Sequence, residues 1–147
     1  MIKIILSFVL GLLSSLLHAD DYLVSRDEMI ASRNAGAYLI PKLAPAKDAP
    51  SIELLWPDLK SSVSSPTQIQ LKFIPVSPAE IVPDTFRALY GAFQIDITNR
   101  LIPHAELDLS GLTVKQAKLP EGSHKILLKI TDSMGRQGAK LIEFVVQ

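Results

Sequence analysis

The sequence predicts an all-β fold, an antiparallel β-sandwich of seven to eight strands, on three observations. Across residues 51–147 apolar side chains recur with a period of two, the spacing of strands rather than helices. Gly91, Gly111, Gly122, Gly135 and Gly138 fall between the apolar runs, where chain reversals are expected. Each run has one polar side, as antiparallel sheets packed face to face require.

The strands follow in order. A weak one is expected at 52–56. The clearest comes next, with Ile69, Leu71 and Phe73 alternating with Gln68, Gln70 and Lys72. A second weak strand falls at 85–90. Phe93, Ile95 and Ile97 then alternate with Gln94, Asp96 and Thr98, and Ala105, Leu107 and Leu109 with Glu106, Asp108 and Ser110. A third weak strand lies at 112–118. Ile126, Leu128 and Ile130 alternate with Lys125 and Lys129, although Leu127 falls on the outward set. Ile142, Phe144 and Val146 close the chain. This pattern places Phe73, Phe93 and Phe144 in the core and Asp96 and Asp108 outside. Pro57, Pro66, Pro75, Pro78 and Pro83 crowd the first half of the domain, and none follows Pro120. Residues 121–147 therefore keep every backbone donor and can pair as one hairpin, turned at 132–138.

The first 50 residues differ. Lys3 and the fourteen uncharged residues 4–17 predict a signal peptide over 1–19, since the apolar run is too short to span a bilayer. Leu17, three residues before the expected cut after Ala19, is larger than cleavage sites prefer; an uncleaved anchor is the other reading. Residues 20–50 form an N-terminal arm. Ser25-Arg26-Asp27-Glu28 matches a capping box and predicts a short helix at about 26–34. Its apolar stripe is thin, so it needs docking to persist, and Tyr22 and Tyr38 flank it as candidate docking groups. Pro41, Pro45 and Pro50 then mark a semi-rigid linker into the 51–147 domain.

Composition narrows function. With 15 Lys+Arg against 15 Asp+Glu, nothing points to nucleic acid. The absence of cysteine excludes disulfides, thiolate zinc sites, a cysteine nucleophile and a lipidated cysteine. Export without disulfides leaves the stability of this domain to its hydrophobic core.

Leu119-Pro120-Glu121-Gly122-Ser123-His124, then an alternating strand and Asp132-Ser133-Met134-Gly135-Arg136, resembles the last two strands of bacterial immunoglobulin-like modules. Ser65-Pro66-Thr67 before Ile69 is similar to their second strand, and 79–91 to their third strand and following turn. The resemblance spans about 51–147 and implies an Ig-like sandwich used for adhesion, spacing or accessory binding in exported proteins, with another envelope or extracellular protein as partner. Within the signature, Pro120 and Gly122 turn the chain into a central strand. His124 stands where sandwich folds often place a corner tyrosine, and Asp132 and Gly135 belong to the next turn. These roles are structural.

Reactive constellations are sparse. His104 and His124, with Asp96, Asp108 or Asp132, are the available metal ligands, but they lie on separate elements and no H-E-x-x-H or calcium loop occurs. No G-x-S-x-G elbow, phosphate loop or paired carboxylate motif is present. Trp56, the single tryptophan, either closes one end of the sandwich or stands out as a sugar-stacking platform or partner anchor. The expected function is thus an exported, periplasmic or secreted, non-enzymatic module without cofactor or membrane span after signal cleavage. A periplasmic copper-resistance-like metal-binding sandwich and a carbohydrate-binding accessory domain are the alternatives.

Overall fold

Alternation and turn chemistry produce eight strands in the computed structural model, which describes residues 21–35 and 45–147. The expected signal peptide, Tyr38 and Pro41 lie outside the described residues. The strands are β1 (Ser51–Trp56), β2 (Thr67–Ile74), β3 (Ile81–Tyr90), β4 (Ile95–Asp96), β5 (Ala105–Leu107), β6 (Gly111–Ala117), β7 (Gly122–Asp132) and β8 (Gln137–Val146). They form two four-stranded sheets, ordered β1-β2-β6-β5 and β4-β3-β7-β8, with every ladder antiparallel. Ile69, Leu71 and Phe73 from β2 meet Phe86, Ile130 and Ile142 of the other sheet in one core cluster, and the Phe73 and Phe86 ring centroids lie 5.8 Å apart.

The β7–β8 hairpin runs in unbroken register from Gly122 opposite Val146 to Thr131 opposite Gln137. Its turn is tighter than the spacing suggests, because Gly138 lies within β8. Pro83, which has no N–H, sits in β3 where the ladder to β7 slips between Val82 and Arg87. Leu127 has outward parity yet is buried. Its ladder neighbours Leu89 and Leu141 are also leucines, and a three-leucine row on the outer face shields its middle member.

Two expected core residues are exposed. Phe93 is 63% exposed and Leu109 60%. The alternation is interrupted by a turn at Phe93 and by polar groups that end the strand after Asp96. The Gln94 N–H donates to the Gly91 carbonyl in a tight turn, with positive φ at both residues. Asp96 Oδ1 accepts from the Thr98 N–H, and Thr98 Oγ1 accepts from the Ala88 N–H, replacing the next ladder bond. The chain then enters a single helical turn, α2 (Thr98–Leu101), so β4 keeps only two residues. Leu109 is displaced by Asp108, whose Oδ1 accepts from the amides of Ser110 and Gly111 and makes a turn of what alternation reads as strand.

The N-terminal helix α1 (Arg26–Asn34) carries the expected capping box: Glu28 N–H donates to Ser25 Oγ, and Ser25 N–H to the Glu28 carboxylate. Tyr22, expected to dock it, is 43% exposed; Leu23, Val24 and Met29 enter the main core instead. Polar links hold the segment as well. Leu23 N–H donates to the Lys118 carbonyl, Ala92 N–H to Ser32 Oγ, and the Arg100 guanidinium grips both Glu28 oxygens at 2.8 and 2.9 Å. That grip holds the Glu28 carboxyl down at about 2. The pair is partly solvated, so Glu28→Gln is expected to cost less than about 1 kcal/mol of global stability. It should nonetheless speed amide exchange within α1 while leaving β7 protected, which hydrogen-exchange mass spectrometry checks.

Candidate functional site

The signature residues around β7 build one end of the fold. Gly122 enters the strand at φ +133, and a Cβ there would meet Met29 Sδ of α1 at 2.9 Å. His124 follows, almost fully buried, with its ring stacked on Phe144 at 5.5 Å. Its Nε2 lies 2.7 Å from the Pro120 carbonyl, and its Nδ1 lies 2.9 Å from the Tyr90 hydroxyl. A carbonyl only accepts, so Nε2 carries the proton and neutral Nδ1 accepts from Tyr90. Burial pushes the His124 value below its ordinary one, partly opposed by the Pro120 bond. Burial, with Glu28 nearby, raises the Tyr90 phenol to about 12. Both groups are therefore neutral near pH 7, and each spends its polar atoms on the other or on backbone.

At the far end of β7, Asp132 is buried. Its Oδ1 accepts from the amides of Met134 and Arg136, and its Oδ2 from Arg136 Nε at 2.8 Å. Burial alone would raise this carboxyl, but those donors outweigh it and hold it below the usual range. Gly135 completes the turn at φ +76.

The candidate metal ligands do not converge. His104 is exposed, 3.6 Å from Asp21, far along the chain from buried His124. Asp96 and Asp108 each fasten their own turn. Among the described residues no three His, Asp or Glu side chains gather as a metal site. A depression of about 620 Å³ beside Lys60, Ser62, Lys125 and Glu143 includes groups already joined to one another, Lys125 to Glu143 and Ser62 to Gln147.

Trp56 is a further large apolar group that the fold leaves outside, 51% exposed beside Leu55 at 49%. Strict alternation after buried Ile52 would turn it inward. The ladder explains the reversal: Leu54 pairs with Leu71, but Trp56 pairs with Gln70, so two steps on β1 match one on β2. Leu55 is the extra residue of a β-bulge, and Trp56 follows the outward parity of Gln70. The bulged pair stands between two shallow cavities. One, about 360 Å³, is bordered by Trp56, Asp58, Ser61, Ser64, Thr67 and Gln68. The other, about 310 Å³, is bordered by Leu55, Gln70, Lys72, Glu106 and Thr113.

No protein-family model, curated protein or solved structure matches this chain. The residues themselves carry the reading. Sequence reasoning singled out Trp56 but missed Leu55 and Gln70 as its companions. The available signal was the run Leu54-Leu55-Trp56, three apolar residues in a strand otherwise alternating, which is the trace an inserted bulge residue leaves.

Proposed function

We propose that the chain is an exported, non-enzymatic immunoglobulin-like module with a structural, adhesive or accessory binding role. The observation that carries the module reading is strand order. Lettered along the chain, β1-β2-β6-β5 corresponds to A-B-E-D and β4-β3-β7-β8 to C′-C-F-G, the arrangement of Ig-type sandwiches. His124 supports it, because it sits early in the strand lettered F and bonds back to the Pro120 carbonyl, the role of the corner tyrosine in such folds. The non-enzymatic part rests on how the acids and bases are spent: His124, Asp132, Asp96 and Asp108 all fasten strands or turns. Among the described residues no helix is long and apolar enough to cross a membrane.

Cell fractionation with intact-mass analysis tests export. The expected product lies in the envelope or medium and begins at Asp20; recovery only in the cytosol with residues 1–19 attached overturns that part. Substrate panels test the rest. Turnover that vanishes in a folded His104→Ala or Glu106→Gln variant overturns the non-enzymatic reading.

A further inference from the structure

We infer that the outer face around Trp56 is a binding subsite for a neutral, polymeric glycan, with the indole as stacking platform. The inference rests on the binding-module reading above and names its ligand. Three observations converge. The bulge at Leu55 turns the only tryptophan out of the core and leaves half of it in water, on an edge strand rather than on a mobile tip. Such a side chain offers a flat apolar area with one N–H donor, suited to the C–H face of a sugar ring.

The surroundings decide between a sugar and a protein anchor pocket. A protein hot spot sits among well-packed, water-excluding contacts. The cavity beside Trp56 is instead open and bordered by Ser61, Ser64, Thr67 and Gln68, hydroxyls and an amide that both donate and accept as sugar hydroxyls require. Charge selects the sugar class. Asp58 is the sole ionisable side chain bordering that cavity, and no cation borders it. Across both cavities a carboxylated or sulfated glycan would meet one ammonium, Lys72, against three carboxylates, Asp58, Glu106 and Asp108. Length is set by the second cavity. It reaches Leu55 of the bulge and is bordered by Gln70, Lys72, Glu106 and Thr113, so a chain stacked on Trp56 has polar partners on both sides.

The single tryptophan makes the test direct, because all indole emission comes from this site. The full mature chain is titrated with laminarin, soluble xylan and galactomannan, with alginate and heparin as acidic controls, and run in affinity gels holding the same polymers. Expected are a shift or quench of emission and gel retardation with at least one neutral polymer, and neither with the acidic ones. Trp56→Ala should weaken retardation at least tenfold with unchanged circular dichroism, and Trp56→Phe should recover part of it. The inference is overturned if no neutral polymer perturbs the emission, if the acidic polymers bind equally, if Trp56→Ala binds as well as the parent, or if only a protein partner protects the indole. Release of reducing ends from a bound polymer would leave the Trp56 contact standing and overturn the non-enzymatic reading, so the two fail separately.

Discussion

Replacing His124 with alanine is expected to cost the fold about 3–5 kcal/mol, a large share of the total stability of a domain this size. The ring is almost wholly buried and packs on Phe144, so truncation opens a cavity between β7 and β8. It also strands two polar groups, the Tyr90 hydroxyl and the Pro120 carbonyl, away from their shared partner. His124→Phe separates these causes. It refills most of the space and leaves the polar groups unpaired, so it should cost about 1–3 kcal/mol. Urea unfolding measures both as changes in midpoint at constant slope. A cost below about 1 kcal/mol for the alanine variant would contradict the buried network.

The same ring shapes the acid limb of stability. Burial keeps its folded value below the ordinary one of about 6.5. Above that pH the imidazole is neutral in both folded and unfolded chains and contributes no slope. As pH falls below about 6.5, the unfolded chain takes up a proton that the folded chain refuses, so stability declines until the lower folded value is reached. Asp132 and Glu28, both held below their usual range, add a second decline as pH drops below about 4. His124→Phe should abolish the first decline and spare the second.

What could be read from the chain, and what could not, divides along one physical line. Period-two patterning reports faces wherever a strand is regular. Hence β2 and the β7–β8 hairpin follow the alternation of Ile69–Phe73 and Ile126–Ile130 closely. It misreports wherever a side chain competes with the ladder. The Gly91–Gln94 turn keeps Phe93 out of β4, Asp96 and Thr98 bind backbone amides that end that strand, and Asp108 does the same before Leu109. The bulge at Leu55 is the same failure in another form, because one inserted residue reverses the parity of everything after it. That reversal concerns Trp56, so the candidate site was the part least legible in the sequence. The α1 cap was legible because a capping box is local, whereas its docking through Leu23, Val24 and Arg100 depends on residues distant in sequence.

Gly138→Ala and Gly111→Ala are expected to cost about 3 kcal/mol each, whereas Gly135→Ala should cost only about 1–2 kcal/mol. The three glycines are alike in the sequence, each at a junction between apolar runs, and the structure separates their reasons. A Cβ at Gly138 would collide with the Pro50 carbonyl oxygen, and one at Gly111 with the Leu71 carbonyl oxygen. Backbone cannot rotate aside as a side chain does, so relief requires moving a strand. At Gly138 the strand that must move is the start of β1, whose entry presses on the β8 edge of the other sheet. Damage there should loosen the closure between sheets and raise amide exchange along Ser51–Leu54 more than along β2. At Gly111 the clash falls inside the β2–β6 ladder, opposite Lys72, and exchange should rise along β2 and β6 together. Gly135 is the contrast: nothing lies within 4 Å of its Cβ position, and its cost comes from φ +76 alone. Urea midpoints for the three variants, with exchange mapped on each, test this ordering. Equal costs at Gly135 and Gly138 would show that turn conformation, not close backbone approach, governs where this sandwich requires glycine.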